Sequence, residues 1–186
     1  MASFARDLWF ITPLQALATI GTAANFGGSA LQSPLIMPTL SLEKVPVQYN
    51  AIQIRYLVHE SEKFFPPLNA LCTLSNIVVG VTTFLYRDTS ASASAKLPYA
   101  VAGTVLNLAT TAWAILIMVP LNRSMAKDAD ALEANSTNEN AAKSLRKTQQ
   151  KWRQLNLVRA SMMISASIVG LVGLLQDGAL VKIPSK

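Results

Sequence analysis

In the run Lys151-Trp-Arg-Gln-Leu-Asn-Leu-Val-Arg159 an indole, an amide and a guanidinium stand at i, i+4 and i+7, so Trp152, Asn156 and Arg159 share one face of a helix. From there to Leu175 the chain carries no charge. A cation at the mouth of such a stretch has two readings. At the centre of a membrane span it costs roughly 2.5–3.5 kcal/mol and is kept where it faces a cavity or a partner. Near the end of a span it reaches the interface along its own aliphatic stem. Arg159, about 6 Å below Leu155 at 1.5 Å per residue, fits either. His59 is the single histidine and the only side chain whose unperturbed pKa lies near neutrality, so it is the first candidate for a general base.

The elements that must hold these groups follow from hydropathy. With 51% hydrophobic and 14% charged residues in 186, the chain does not have an ordinary soluble surface. Its apolar residues fall into runs at about 8–31, 66–86, 97–121 and 155–175, each near the twenty residues that a helix needs to cross a bilayer core. The expected fold is all-α: a single integral membrane domain of residues 1–186, built as a four-helix bundle of four spans. An amphipathic helix is expected between spans 1 and 2, where Val47, Ile54, Leu57 and Val58 recur at helical spacing and Pro66-Pro67 opens the next span. Spans 3 and 4 are joined by a polar helical extension, Ala126 to Gln150, which turns at Asn135-Ser-Thr-Asn138. Small residues such as Gly21, Ala24 and Gly28 suit span 1 to close helix approach in lipid.

Charge sets the orientation. Ten Lys and Arg flank the ends of the spans on the side that holds both the amphipathic helix and the polar extension, against five on the side of the termini and the Arg87–Lys96 linker. The termini are therefore expected to be lumenal, in an endomembrane such as the endoplasmic reticulum or a vesicle. The net charge of +6 reads as membrane orientation and not as a nucleic-acid footprint, because the cations abut hydrophobic spans. The partners implied are the lipid bilayer and a lipophilic small molecule.

Placed by depth, Asn25, Asn69, Asn76, Asn107 and Trp113 lie at mid-membrane or towards the cation-rich side, where Asn122, Asn156 and Arg159 also fall. They outline a polar cavity opening to that side, with the His59 helix as its lid. The competing reading is structural. Asn in membrane helices commonly bonds a neighbouring helix, for about 0.6–2 kcal/mol, Trp152 suits an aromatic belt, and Trp113 suits packing. One His, one Cys and no carboxylate clearly inside a span supply no metal site, so no metal and no tightly bound cofactor are expected. Cys72 alone makes no dithiol, and Gly27-Gly28 opens no nucleotide-binding pattern.

Pro66-Pro67-Leu, Val119-Pro-Leu-Asn-Arg-Ser-Met125 and Lys151-Trp-Arg-Gln-Leu-Asn-Leu-Val-Arg159 together resemble the four-span membrane family that includes the fungal anthrone oxygenases. The likeness runs from about Leu14 to Leu175. It implies oxidation of a polycyclic aromatic polyketide, anthrone to anthraquinone, in secondary metabolism. Molecular oxygen would be the co-substrate and no cofactor is established. By position Asn122, Trp152, Asn156 and Arg159 are the motif residues. On that reading His59, or a water it holds, removes a proton, while Asn122, Asn156 and Arg159 stabilise the enolate oxygen. Trp152 stacks on the rings, and Asn69, Asn107 and Trp113 contribute to the substrate cavity. Two other functions use the same elements: a cofactor-free cyclase or isomerase of a lipophilic metabolite, and a non-catalytic membrane scaffold.

Overall fold

The computed structural model describes residues 8–179, with side chains to Gln176. Arg6, Lys182 and Lys186, on which the expected side of the termini partly rests, lie outside the described residues. Helix α1 runs Ile11–Leu31 and continues through a π-helical turn, Gln32–Ile36, into a last turn at Met37–Thr39. Helix α2 is Val47–Leu85. Helix α3, Ala91–Trp113, passes through a second π-helical turn, Ala114–Met118, into α4, Val119–Ala134, and α5 is Glu139–Ala179. No strand occurs among the described residues.

Both π-helical turns have a cause in the sequence. A proline ring presses on the carbonyl four residues before it. For Pro120 that residue is Leu116 and for Pro38 it is Pro34, each inside one of the wide turns. The wider turn makes room where an α-turn would clash.

Pro66 and Pro67 behave otherwise than their position suggests. They stand inside α2, a single helix of 39 residues, so the amphipathic segment is not a separate lid helix but the first half of the same helix. An interior proline costs about 3 kcal/mol, and the groups it strands here are the carbonyls of Glu62 and Lys63. Both residues are exposed, so water can satisfy those carbonyls. Burial of Ala51, Ile54 and Val58 on one side and the apolar run on the other keeps the helix intact through the break.

Among the described residues three helical stretches are long and apolar enough to cross a membrane: Val47–Leu85, Ala91–Ala134 and Glu139–Gln176. Four were expected, and α1 is not among the three. Its hydropathy is lowered by Gln15, Thr19, Thr22, Asn25 and Ser29, all of which are buried within the protein.

The chain divides into two compact units. One comprises Met1–Asn25, Leu68–Ala109 and Met162–Lys186. Its polarity is reversed relative to a soluble domain. Gln15, Thr22, Asn25, Asn76, Lys96 and Asn107 are buried, while Ile20, Leu74, Val81, Phe84, Val105, Ile168 and Leu171 are exposed. An apolar exterior of this extent around a polar interior is what a lipid solvent selects. The Lys96 ammonium donates to Gln15 Oε1 at 3.1 Å and Thr12 Oγ1 at 3.4 Å. The Asn69 amide donates to the Asn107 carbonyl at 3.3 Å. Small residues set the helix spacing, as expected of span 1. A Cβ on Gly21 would stand 2.6 Å from Cys72 Sγ, and one on Gly170 only 2.4 Å from Thr19 Oγ1.

The second unit comprises Phe26–Pro67 and Thr110–Ser161. It has an ordinary apolar core of Met37, Ile54, Met118, Met125, Leu132 and Leu145, closed by Trp152. Ala141, Leu145, Gln149, Trp152 and Asn156 repeat at four, four, three and four residues, the spacing of a helix packed on its neighbours along one stripe. The polar extension forms two helices, α4 and the start of α5, joined at residues 135–138. Asn138 Oδ1 accepts from the Ala141 N–H at 3.1 Å, capping α5. Arg55 on α2 pairs with Asp130 and, at 2.8 Å, with Glu133 on α4.

Candidate active site

Within the second unit a partly open cavity of about 60 Å³ lies among α2, the end of α1, the second π-helical turn, α4 and α5. Its apolar wall is Met37, Leu57, Val58, Phe65 and Met118. Its polar groups are Gln32, Ser61, Glu62, Asn122, Trp152 and Arg159. Such a mixture of apolar wall and a few convergent polar groups is the usual composition of a small-molecule site.

The polar groups are held in order. The Trp152 indole N–H donates to Asn122 Oδ1 at 2.8 Å, and the Asn122 amide donates to Glu62 Oε1 at 2.8 Å. The two bonds fix the amide's orientation, since its oxygen must face the indole and its nitrogen the carboxylate. Gln32, in the first π-helical turn, donates to Ser61 Oγ at 3.1 Å. Arg159 enters the same cavity, and its Nε is sealed from solvent with no protein acceptor. A carboxylate, a fixed amide and an incompletely satisfied guanidinium therefore line one cavity.

Asn122, Trp152 and Arg159 all line this cavity. Asn156 does not line the cavity. It is fully buried, and its amide donates to the Ser29 carbonyl and to Ser33 Oγ, both at 2.8 Å. It clamps the π-helical end of α1 onto α5. We expect Asn156→Ala to cost about 1–3 kcal/mol of stability by stranding these partners, read as lower abundance and a lower melting temperature. A loss confined to turnover, with stability intact, would contradict that structural role. Trp113 donates to the Leu155 carbonyl at 3.2 Å and packs against the apolar core outside the cavity. Asn69 and Asn107 belong to the other unit.

His59 is exposed and is not among the cavity residues, and the place expected for it is taken by Glu62. The reason is helical phase. Ile54 and Val58 face the core, and Glu62 follows Val58 by four residues. His59 follows Ile54 by five, about 140° round the helix. Counting from the apolar stripe would have found Glu62 in the sequence; choosing by pKa alone pointed to the histidine.

The described residues thus form an all-helical protein with three helices apolar enough to cross a membrane and a carboxylate, an amide and a guanidinium lining one cavity. A sequence model described as anthrone oxygenase matches residues 55–169, which is more than half of the chain and includes Glu62, Asn122, Trp152 and Arg159. The chain belongs to the anthrone oxygenase family. No curated protein and no solved structure matches it.

Proposed function

We propose that the protein oxidises a polycyclic anthrone to the corresponding anthraquinone with dioxygen. The convergence of Glu62, Asn122 and Arg159 on one cavity, in a chain of this family, carries the reading. An anthrone has a CH₂ group between two aromatic rings, across from a carbonyl. Removal of one proton gives an enolate that is aromatic and electron-rich. Glu62 takes that proton, with its carboxylate oriented by Asn122. Arg159 stabilises the negative oxygen, where low dielectric strengthens the interaction. The enolate carbon then reduces dioxygen and binds it as a peroxide anion, and the Glu62 carboxyl returns its proton to give the hydroperoxide. Loss of water from the hydroperoxide leaves the second carbonyl, so anthrone and O₂ give anthraquinone and H₂O. Dioxygen is the only co-substrate in the reaction so written.

A cavity of about 60 Å³ holds dioxygen with a water, not three fused rings. The ring system therefore enters by displacing wall side chains, and Phe65 is the one whose room is set by a glycine. A Cβ on Gly28 would stand 2.8 Å from the Phe65 ring, whereas nothing lies within 4 Å of one on Gly27. We expect Gly28→Ala to force the ring aside and raise KM several-fold with little change in kcat, and Gly27→Ala to leave both unchanged. Equal effects of the two would remove Phe65 as a wall of the substrate site.

The experiment for the reaction itself is anthrone-dependent quinone formation and oxygen uptake in membranes carrying the wild type, with autoxidation subtracted. The expected result is a rate above background with one O₂ consumed per quinone. No rate above background, or product formed without oxygen uptake, would reject the oxygenase.

A further inference from the structure

A second pocket in the same unit, about 300 Å³ in volume, shares no wall residue with the first. It is lined by Ser33, Pro34, Gln150, Arg153, Gln154 and Leu157. We propose that it binds the phosphate of an anionic membrane phospholipid.

The argument starts with Arg153. Its Nε–H donates to the Ser33 carbonyl at 3.0 Å, which anchors the guanidinium by one edge. Ser33 is itself held, because its Oγ accepts from the buried Asn156 amide at 2.8 Å. Arg153 makes no ion pair among the described residues, and no lining residue is acidic. An anchored guanidinium that keeps its two terminal amino groups for a ligand is suited to the paired oxygens of a phosphate. Gln150 and Gln154, one turn apart on α5, add neutral donors on the same wall.

The surroundings select a lipid over a free anion. Within α5, Arg153 is the last cation before the apolar run interrupted only by Arg159, and Lys143, Arg146, Lys147 and Lys151 precede it. That places the pocket at the level where the helix passes from water to hydrocarbon. Cations at this level attract anionic headgroups. Below the guanidinium the wall becomes apolar. Leu157 is 53% exposed, and on the facing helix Leu31, on the deeper side of Ser33, is likewise 53% exposed. A headgroup at Arg153 would lay its acyl chains along these two leucines.

The test uses the full chain, purified in detergent and stripped of lipid. Retention is read by native mass spectrometry and stabilisation by thermal unfolding. The probes are phosphatidic acid, phosphatidylcholine of matched chains, and inorganic phosphate. We expect phosphatidic acid to be retained at least about tenfold better than phosphatidylcholine, and Arg153→Gln to abolish most of that preference, as befits loss of one charged hydrogen-bonding group. Gln154→Glu, at an exposed position that does not touch the Ser33 bond, is expected to weaken retention without disturbing the fold. It keeps the test valid should Arg153→Gln fold poorly. Lys143→Gln, remote from the pocket and paired with Glu139, is expected to change nothing. Equal retention of the two lipids, an undiminished preference in Arg153→Gln or Gln154→Glu, or equal stabilisation by inorganic phosphate alone would each overturn the proposal.

Discussion

Glu62→Gln is expected to lower the protein-dependent rate of quinone formation by about 10²–10⁴-fold, the range associated with loss of a positioned general base. Glutamine preserves the shape of the side chain and can still accept from the Asn122 amide through its own carbonyl, so the substitution removes proton affinity and little else. Three further measurements separate a base from a merely structural carboxylate. Acetate should restore part of the rate to Glu62→Ala. Deuterium at the reacting CH₂ should slow the variant more than the wild type, since proton removal becomes fully rate-limiting. His59→Ala should stay close to the wild-type rate, because that side chain lines no part of the cavity. If His59→Ala were as damaging as Glu62→Gln, the assignment of the base to the cavity-lining carboxylate would fail.

The second large effect is expected at Arg159. Its guanidinium lines the cavity with Nε sealed from water and from protein acceptors, and an oxygen that becomes negative during the reaction would complete its hydrogen bonding. Removing a donor aimed at a developing oxyanion typically costs 10²–10³-fold, or about 2.7–4 kcal/mol of transition-state stabilisation. Arg159→Ala should therefore lose that much of kcat, with a smaller change in KM, because the neutral ketone benefits from the cation less than the enolate does. Arg159→Lys should recover only part of the loss, since an ammonium on a shorter reach cannot reproduce the guanidinium fork. A loss under tenfold at unchanged abundance would be incompatible with the electrostatic role.

Asn122 and Trp152 differ from these two in how they act. Trp152 is buried and its N–H is committed to Asn122, so the indole both closes the apolar core and aims the amide. Asn122 in turn aims Glu62. Their substitution should be felt through Glu62. That coupling is measurable as a non-additive double-mutant cycle between Asn122→Ala and Glu62→Gln.

Much of this was determined by the sequence alone. Uncharged runs of about twenty residues fix helices long enough for a bilayer, and a helix is a local structure whose period can be counted without knowing the partner. The same periodicity put Trp152 and Arg159 on one side of α5, and depth put Asn122 at the same cation-rich end of its own helix. The two helices of the polar extension and their join at residues 135–138 were likewise local matters of helix formers and breakers.

Tertiary structure decided the rest. Continuity of α2 through Pro66-Pro67 could not be read from proline's local preference, because burial of Ala51, Ile54 and Val58 outweighs it and the stranded carbonyls lie where water reaches them. Asn156 and Arg159 have the same sequence credentials, yet one is consumed in holding Ser29 and Ser33 while the other lines the cavity. Nothing in α5 itself distinguishes them, since the difference lies in what α1 presents opposite each. The choice of Glu62 over His59 rests on helical phase, which is present in the sequence, and on the Asn122 amide supplied by another helix, which is not. Helices are specified by interactions a few residues apart, but a site is made by groups dozens of residues apart, and only packing brings those together.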